Sequence, residues 1–186
     1  TSDGEPRIFV HHSSLPFPKP ASAPVVKAFT EGEVLGLQSN WAQAILDISS
    51  AYKAGGNFKQ VAADAAADLY GYGVVSEVLF KPTKAAVNPF RPTGTGAMSY
   101  FIGGDNVEGG FDEDAGFAHN GGNGWSEVYF DNHDIEIYGD VAFAMGHYYF
   151  TCATSGMVSK VEYTFGYKRT SDGEPRIFVH HSSLPF

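Results

Sequence analysis

The chain has 186 residues, 43% hydrophobic and 15% aromatic, a balance that suits one globular domain with a sizeable core and excludes disorder. Its formal charge of −9 argues against nucleic acid and against an anionic membrane surface, since both need clustered Lys and Arg. No apolar run approaches the ~20 residues that span a bilayer, there is no signal-like start, and a single cysteine, Cys152, leaves no internal disulfide.

In chain order, the 17 residues Thr1–Phe17 come first, and they recur unchanged as Thr170–Phe186. The first copy reads as the last strand of a preceding unit, which makes the chain a piece of a tandem-repeat protein whose targeting segment would be absent here. Residues 18–30, rich in Pro and Ala, read as a semi-rigid linker. The resident domain is then 31–186. The orphan arm 1–17 is expected to add to an exposed sheet edge, of its own domain or of a neighbour.

Ser39 or Asn40 is expected to cap a helix whose apolar stripe is Trp41, Ile45, Ile48 and Tyr52, ended by Gly55-Gly56. Asn57 starts a second helix with Phe58, Val61, Ala65 and Leu69 on one side. The period then changes to two, predicting strands near 74–81, 97–102, 126–138 with an interruption at Asn132-His133, 141–152, 158–168 and 176–183. Helices first and an antiparallel meander after them give an α+β fold, one curved sheet wrapped on N-terminal helices. Between them, 103–124 holds eight glycines and five acids. Neither Asp105 nor Asp112 starts an EF-hand series, so this stretch reads as a solvated acidic loop.

Chemistry narrows by elimination. His180 and His181 are adjacent on a strand and diverge, while His119, His133 and His147 sit on separate segments, so no zinc spacing is met. There is no nucleophile elbow, Cys152 lacks a partner histidine at a recognised spacing, and Gly94-Thr95-Gly96 continues into neither a P-loop nor a dinucleotide fingerprint. A polar cluster remains: Thr83 after Val78-Leu79-Phe80, Tyr100, and the His-Ser pairs of the last strand. Strand geometry sends His180 with Ser182 to one face and His181 with Ser183 to the other. A two-residue loop at Asp172-Gly173 would pair Tyr167 with Phe178, Phe165 with His180 and Tyr163 with Ser182, turning His180 and Ser182 inward. A three-residue loop would turn His181 and Ser183 inward instead.

These residues resemble a family. The helical stripe from Trp41, Val78-Leu79-Phe80-Lys81-Pro82-Thr83, Tyr100-Phe101, Asp114-x-Gly116-Phe117-Ala118, Trp125 and the closing His180-His181-Ser182-Ser183-x-Pro185 look like the iota-class carbonic anhydrases. That class belongs to the cone-shaped nuclear transport factor 2-like (cystatin-like) superfamily and is similar to the association domain of calcium/calmodulin-dependent kinase II. The resemblance implies reversible hydration of carbon dioxide to bicarbonate and a proton, in a pocket inside the cone lined by Thr83, Tyr100, one of His180/His181 and one of Ser182/Ser183. It implies a homodimer through the outer sheet face and suggests a plastid or bacterial setting. Members are described both with manganese and without metal, and the lack of any metal-ligand spacing in this sequence favours the metal-free form, with no cofactor. In that form Ser182 and Thr83 orient a water, the histidine takes its proton, and Tyr100 donates to a carbon dioxide oxygen. Two other readings are a non-catalytic association module of the same fold and an isomerase using Asp47 or Asp68 as a buried base.

Overall fold

The computed structural model describes residues 27–75 and 77–186. The arm 1–17 and most of the linker lie outside the described residues, and so does any pairing of the arm.

Helix α1 runs Glu31–Lys53 and begins well before the expected Ser39 or Asn40. Its cap is Thr30, whose hydroxyl accepts from the Glu33 N–H while the Glu33 carboxylate accepts from the Thr30 N–H. Such a reciprocal cap stabilises a helix by about 0.5–2 kcal/mol, and the Thr-x-x-Glu pattern is visible in the sequence. Ser39 is inside the helix, its hydroxyl donating to the Leu35 carbonyl at 3.0 Å. The buried stripe is accordingly longer: Val34, Gln38, Trp41, Ile45 and Ile48. Helix α2, Phe58–Leu69, is capped by Asn57 as expected.

Strand β1 is only Leu79–Lys81, not 74–81, and it runs parallel to the last strand. The stretch expected as a strand at 97–102 is helix α3, Gly94–Ile102. Its run Ala97-Met98-Ser99-Tyr100-Phe101-Ile102 is buried nearly all round, so it carries no readable period; the Thr93 side chain accepting from Gly96 N–H starts the helix and Gly103 at φ 93° stops it. Strands β2 (Trp125–Tyr138), β3 (Val141–Cys152), β4 (Val158–Arg169) and β5 (Pro175–Ser183) form the expected antiparallel meander. The sheet order is β1-β5-β4-β3-β2, antiparallel except at β1, with an irregularity between Asn132 and Asp134 where the interruption was expected.

The core lies between the inner face of this curved sheet and α1. Trp41 is at its centre, with the rings of Phe130, Tyr148, Phe150, Phe165 and His180 all 5.6–6.2 Å from its own.

Residues 103–124 are more than a solvated loop. Asp114 is buried and binds Arg91 at 2.8 Å and the Ser99 hydroxyl at 2.6 Å, while Glu113 accepts the N–H groups of Ala86, Val87 and Asn88. Those amides, Val87 and Ala86 foremost, lower the Glu113 pKa to about 2. The two acids thus fasten this loop to the segment that follows β1, the one carrying Thr83.

Candidate active site

The register of β5 decides which histidine faces inward. Thr170 N–H donates to the Glu174 carbonyl and Gly173 takes φ 86°, so the turn holds three residues between its paired ends rather than two. Near the turn the pairs are Lys168 with Arg176 and Tyr167 with Ile177. By itself that register would turn His181 inward. It does not, because the next pair is Gly166 with Val179 and Phe178 has no partner: a bulge absorbs one residue. Beyond it Phe165 faces His180 and Tyr163 faces Ser182, the pairs a two-residue loop would have given, although Tyr167 does not face Phe178. His180 and Ser182 are each 2% exposed. His181 is exposed, and Ser183 donates to Glu162 at 2.9 Å on the outer face. The pair His181/Ser183 therefore lies outside the cone.

His180 is enclosed by rings. Phe80 of β1 stacks on it at 4.5 Å and Phe165 meets it edge-on at 4.2 Å. Burial holds its pKa well below 6.5, with the nearby charge of His181 a lesser cause. Its Nδ1 lies 2.8 Å from the Tyr70 hydroxyl, which accepts a hydrogen bond from Trp41 Nε1 at 2.9 Å. Its Nε2 lies 3.2 Å from Ser182 Oγ and 3.5 Å from the Tyr148 hydroxyl, and Tyr148 donates to Ser182 at 2.6 Å.

Thr83 and Tyr100 complete the arrangement. Thr83, half-buried, lies beside the phenols of both Tyr100 and Tyr148 and acts to lower the pKa of each. Burial pushes the Tyr100 pKa above 10 despite the lowering effect of the Lys84 and Thr83 backbone, and it raises that of Tyr148 likewise. Every member is neutral at physiological pH. An open pocket of ≈ 250 Å³, bordered by Tyr100, Lys84, Phe117 and Asn120, brings solvent to the outer side of Tyr100.

Four of the six candidate residues, buried Tyr100, His180 and Ser182 and half-buried Thr83, thus lie on one side of the sheet around Tyr148. Tyr148 and Tyr70 belong to it and were missed. Tyr148 shares the inward parity of Ala142, Ala144 and Phe150 on β3, so strand alternation alone could have found it. Tyr70 is the residue closing α2 and bridges to Ile177, a long-range contact with no local signal. Asp47 and Asp68 are exposed, which removes the buried-base isomerase. Among the described residues no three His, Cys, Asp or Glu side chains gather as a metal site.

A sequence family described as metal-independent carbonic anhydrase matches residues 32–184. The chain belongs to the metal-independent carbonic anhydrase family. It is 40% identical over 168 residues to a metal-independent carbonic anhydrase of Nostoc sp. (strain PCC 7120), covering 88% of this chain and 78% of that one. It also resembles the crystal structure of a cyanobacterial iota-carbonic anhydrase complexed with bicarbonate, with TM-score 0.78 and 38% identity over 89% of this chain and 99% of that chain. A nuclear transport factor 2-like protein of Salmonella enterica is more distant, at TM-score 0.45 and 13% identity over 83% of this chain and 90% of that chain.

Proposed function

We propose that the chain hydrates carbon dioxide at the Thr83–Tyr100–Tyr148–Ser182–His180 cluster. One observation carries the reading: the hydroxyls of Tyr70, Tyr148 and Ser182, from three different elements, lie 2.8–3.5 Å from a single imidazole inside an aromatic shell, with Thr83 and Tyr100 next to Tyr148. Without a metal, the ~9-unit depression of a water pKa that zinc supplies is absent, and positioning has to replace it. The Thr83 hydroxyl orients the attacking water, while Tyr100, kept protonated by burial, and Ser182 donate to the oxygen on which charge develops. The apolar surround suits a neutral gas and strengthens each hydrogen bond. His180 has two conceivable roles, proton acceptor or hydrogen-bond donor behind Ser182. Its burial opposes a charged imidazole, so a cation cannot accumulate there near neutral pH.

Stopped-flow measurement of carbon dioxide hydration tests the assignment. Thr83→Val, Tyr100→Phe and Ser182→Ala should each lower the rate by about 10²-fold, the usual cost of one such donor. Unchanged rates in all three would overturn the assignment, and a wild-type protein without hydration activity would leave the non-catalytic association module. Activity should survive exhaustive chelation. The homodimer through the outer sheet face, the pairing of arm 1–17 with a sheet edge, a tandem-repeat parent and a plastid setting stand beside this reading as proposals supported by the resemblance and the duplicated ending.

A further inference from the structure

Hydrogen-bond directions along the row Trp41, Tyr70, His180, Ser182 can be assigned by counting protons. Trp41 Nε1 carries a hydrogen and accepts nothing, so at 2.9 Å it must donate to the Tyr70 oxygen. The Tyr70 proton then needs an acceptor. The only other polar atom bonded to that hydroxyl among the described residues is His180 Nδ1, at 2.8 Å. Next to Trp41 and Tyr70 there is a void of ≈ 20 Å³, but its walls are Ala44, Ala62, Ala65, Ala66 and their apolar neighbours, which offer the phenol no alternative. If His180 instead donated from Nδ1, the Tyr70 oxygen would receive two hydrogens while its own proton stayed buried without a partner.

We infer that Tyr70, held by Trp41, is a positioning residue that fixes His180 as the tautomer carrying its hydrogen on Nε2. The consequence passes to Ser182. Nε2–H donates to Ser182 Oγ at 3.2 Å, and Tyr148 donates to the same oxygen at 2.6 Å. With both acceptor positions taken, Ser182 has only its own O–H left to offer, and it offers it to the substrate. The row is a one-way series of donors, Trp41 to Tyr70 to His180 to Ser182, ending on an oxygen of carbon dioxide or bicarbonate. The imidazole therefore serves the oxyanion rather than collecting the proton of the attacking water. In hydration, water oxygen bonds to carbon, one C=O pair moves onto oxygen, and the released proton goes to a base brought by solvent. This last part rests on the carbonic anhydrase reading; the tautomer does not.

Nitrogen-15 NMR of histidine-labelled protein reads the tautomer directly. In the wild type His180 should show a protonated Nε2 and an unprotonated Nδ1. In Tyr70→Phe, and in Trp41→Phe where the freed Tyr70 oxygen can accept from Nδ1–H, the Nε2–H form should lose its dominance. The hydration rate should fall by about tenfold or more, as when a positioning partner of an imidazole is removed. A wild-type spectrum with the proton on Nδ1 overturns the inference, even if neither variant folds. So does a folded Tyr70→Phe variant with the wild-type tautomer. A protein with the Nε2–H form but no hydration activity would uphold the tautomer and refute the catalytic reading, so the two failures are distinguishable.

Discussion

At the residue scale, the burial of His180 has a stability consequence with a definite sign. Its folded pKa lies below the unfolded value near 6.5. Above that pH neither state binds a proton at this position. Below it the unfolded chain takes up a proton that the folded site refuses, so stability falls as pH drops below about 6.5. The slope from one such group is at most about 1.4 kcal/mol per pH unit, and it continues until the folded pKa is reached. Urea midpoints at pH 7, 6 and 5 should therefore fall faster in the wild type than in His180→Gln. Parallel curves would mean that the imidazole already protonates in place. Asp114 makes a second case. It is the close partner of Arg91, a guanidinium with no exposed surface, with Glu113 a looser one at 3.5 Å. Asp114→Ala should cost about 3–5 kcal/mol in urea denaturation, because it strands a buried charge.

At the scale of elements, the bulge at Phe178 shows how much of the site was legible in the sequence. Alternation plus turn length left two inward pairs open, and the turn has the three residues that by themselves select His181/Ser183. His180 and Ser182 face inward nevertheless because the bulge offsets the longer turn. Nothing local announces that bulge: it arises between the pairs Tyr167–Ile177 and Gly166–Val179, where Phe178 goes unpaired and a Cβ on Gly166 would come within 2.9 Å of the Val179 side chain. The long, strongly periodic elements α1, α2 and β2 to β5 were readable because one face of each is buried. Helix α3 was not, since burial on all sides erases the period, and neither was the parallel pairing of β1, which three residues cannot encode. The register makes a sharp prediction. Deleting Phe178 removes the one unpaired residue and leaves Ile177 and His180 both inward, so hydration activity should persist within about tenfold. Inserting a glycine between Val179 and His180 turns His180 and Ser182 outward and should abolish it. Equal activity in the two variants would mean that β5 does not carry the site.

For the whole molecule, the question is which surface another copy can use. Among the described residues the sheet has two edges, the short β1 and the 14-residue β2. Strand β2 exposes Glu127, Asp131, Asp134 and Glu136, and such acids along an edge oppose pairing with the like edge of a second copy. Those acids line the β2 margin of the outer face, and the middle of that face is different. Tyr129 and Tyr149 stack there at 4.8 Å, Met145 is 47% exposed, and a shallow depression of ≈ 300 Å³ runs past Met145, His147, Thr164 and His181. The proposed homodimer places two such faces together, and sedimentation at micromolar concentration should then report twice the chain mass. Met145→Glu puts a charge at the centre of that contact, so it should shift the protein to monomer. The hydroxyl cluster points into the cone on the opposite side of the sheet, so the monomer should keep its hydration rate. A wild-type protein that sediments as a monomer would end the dimer proposal, whereas a dimer unaffected by Met145→Glu would move it to another face.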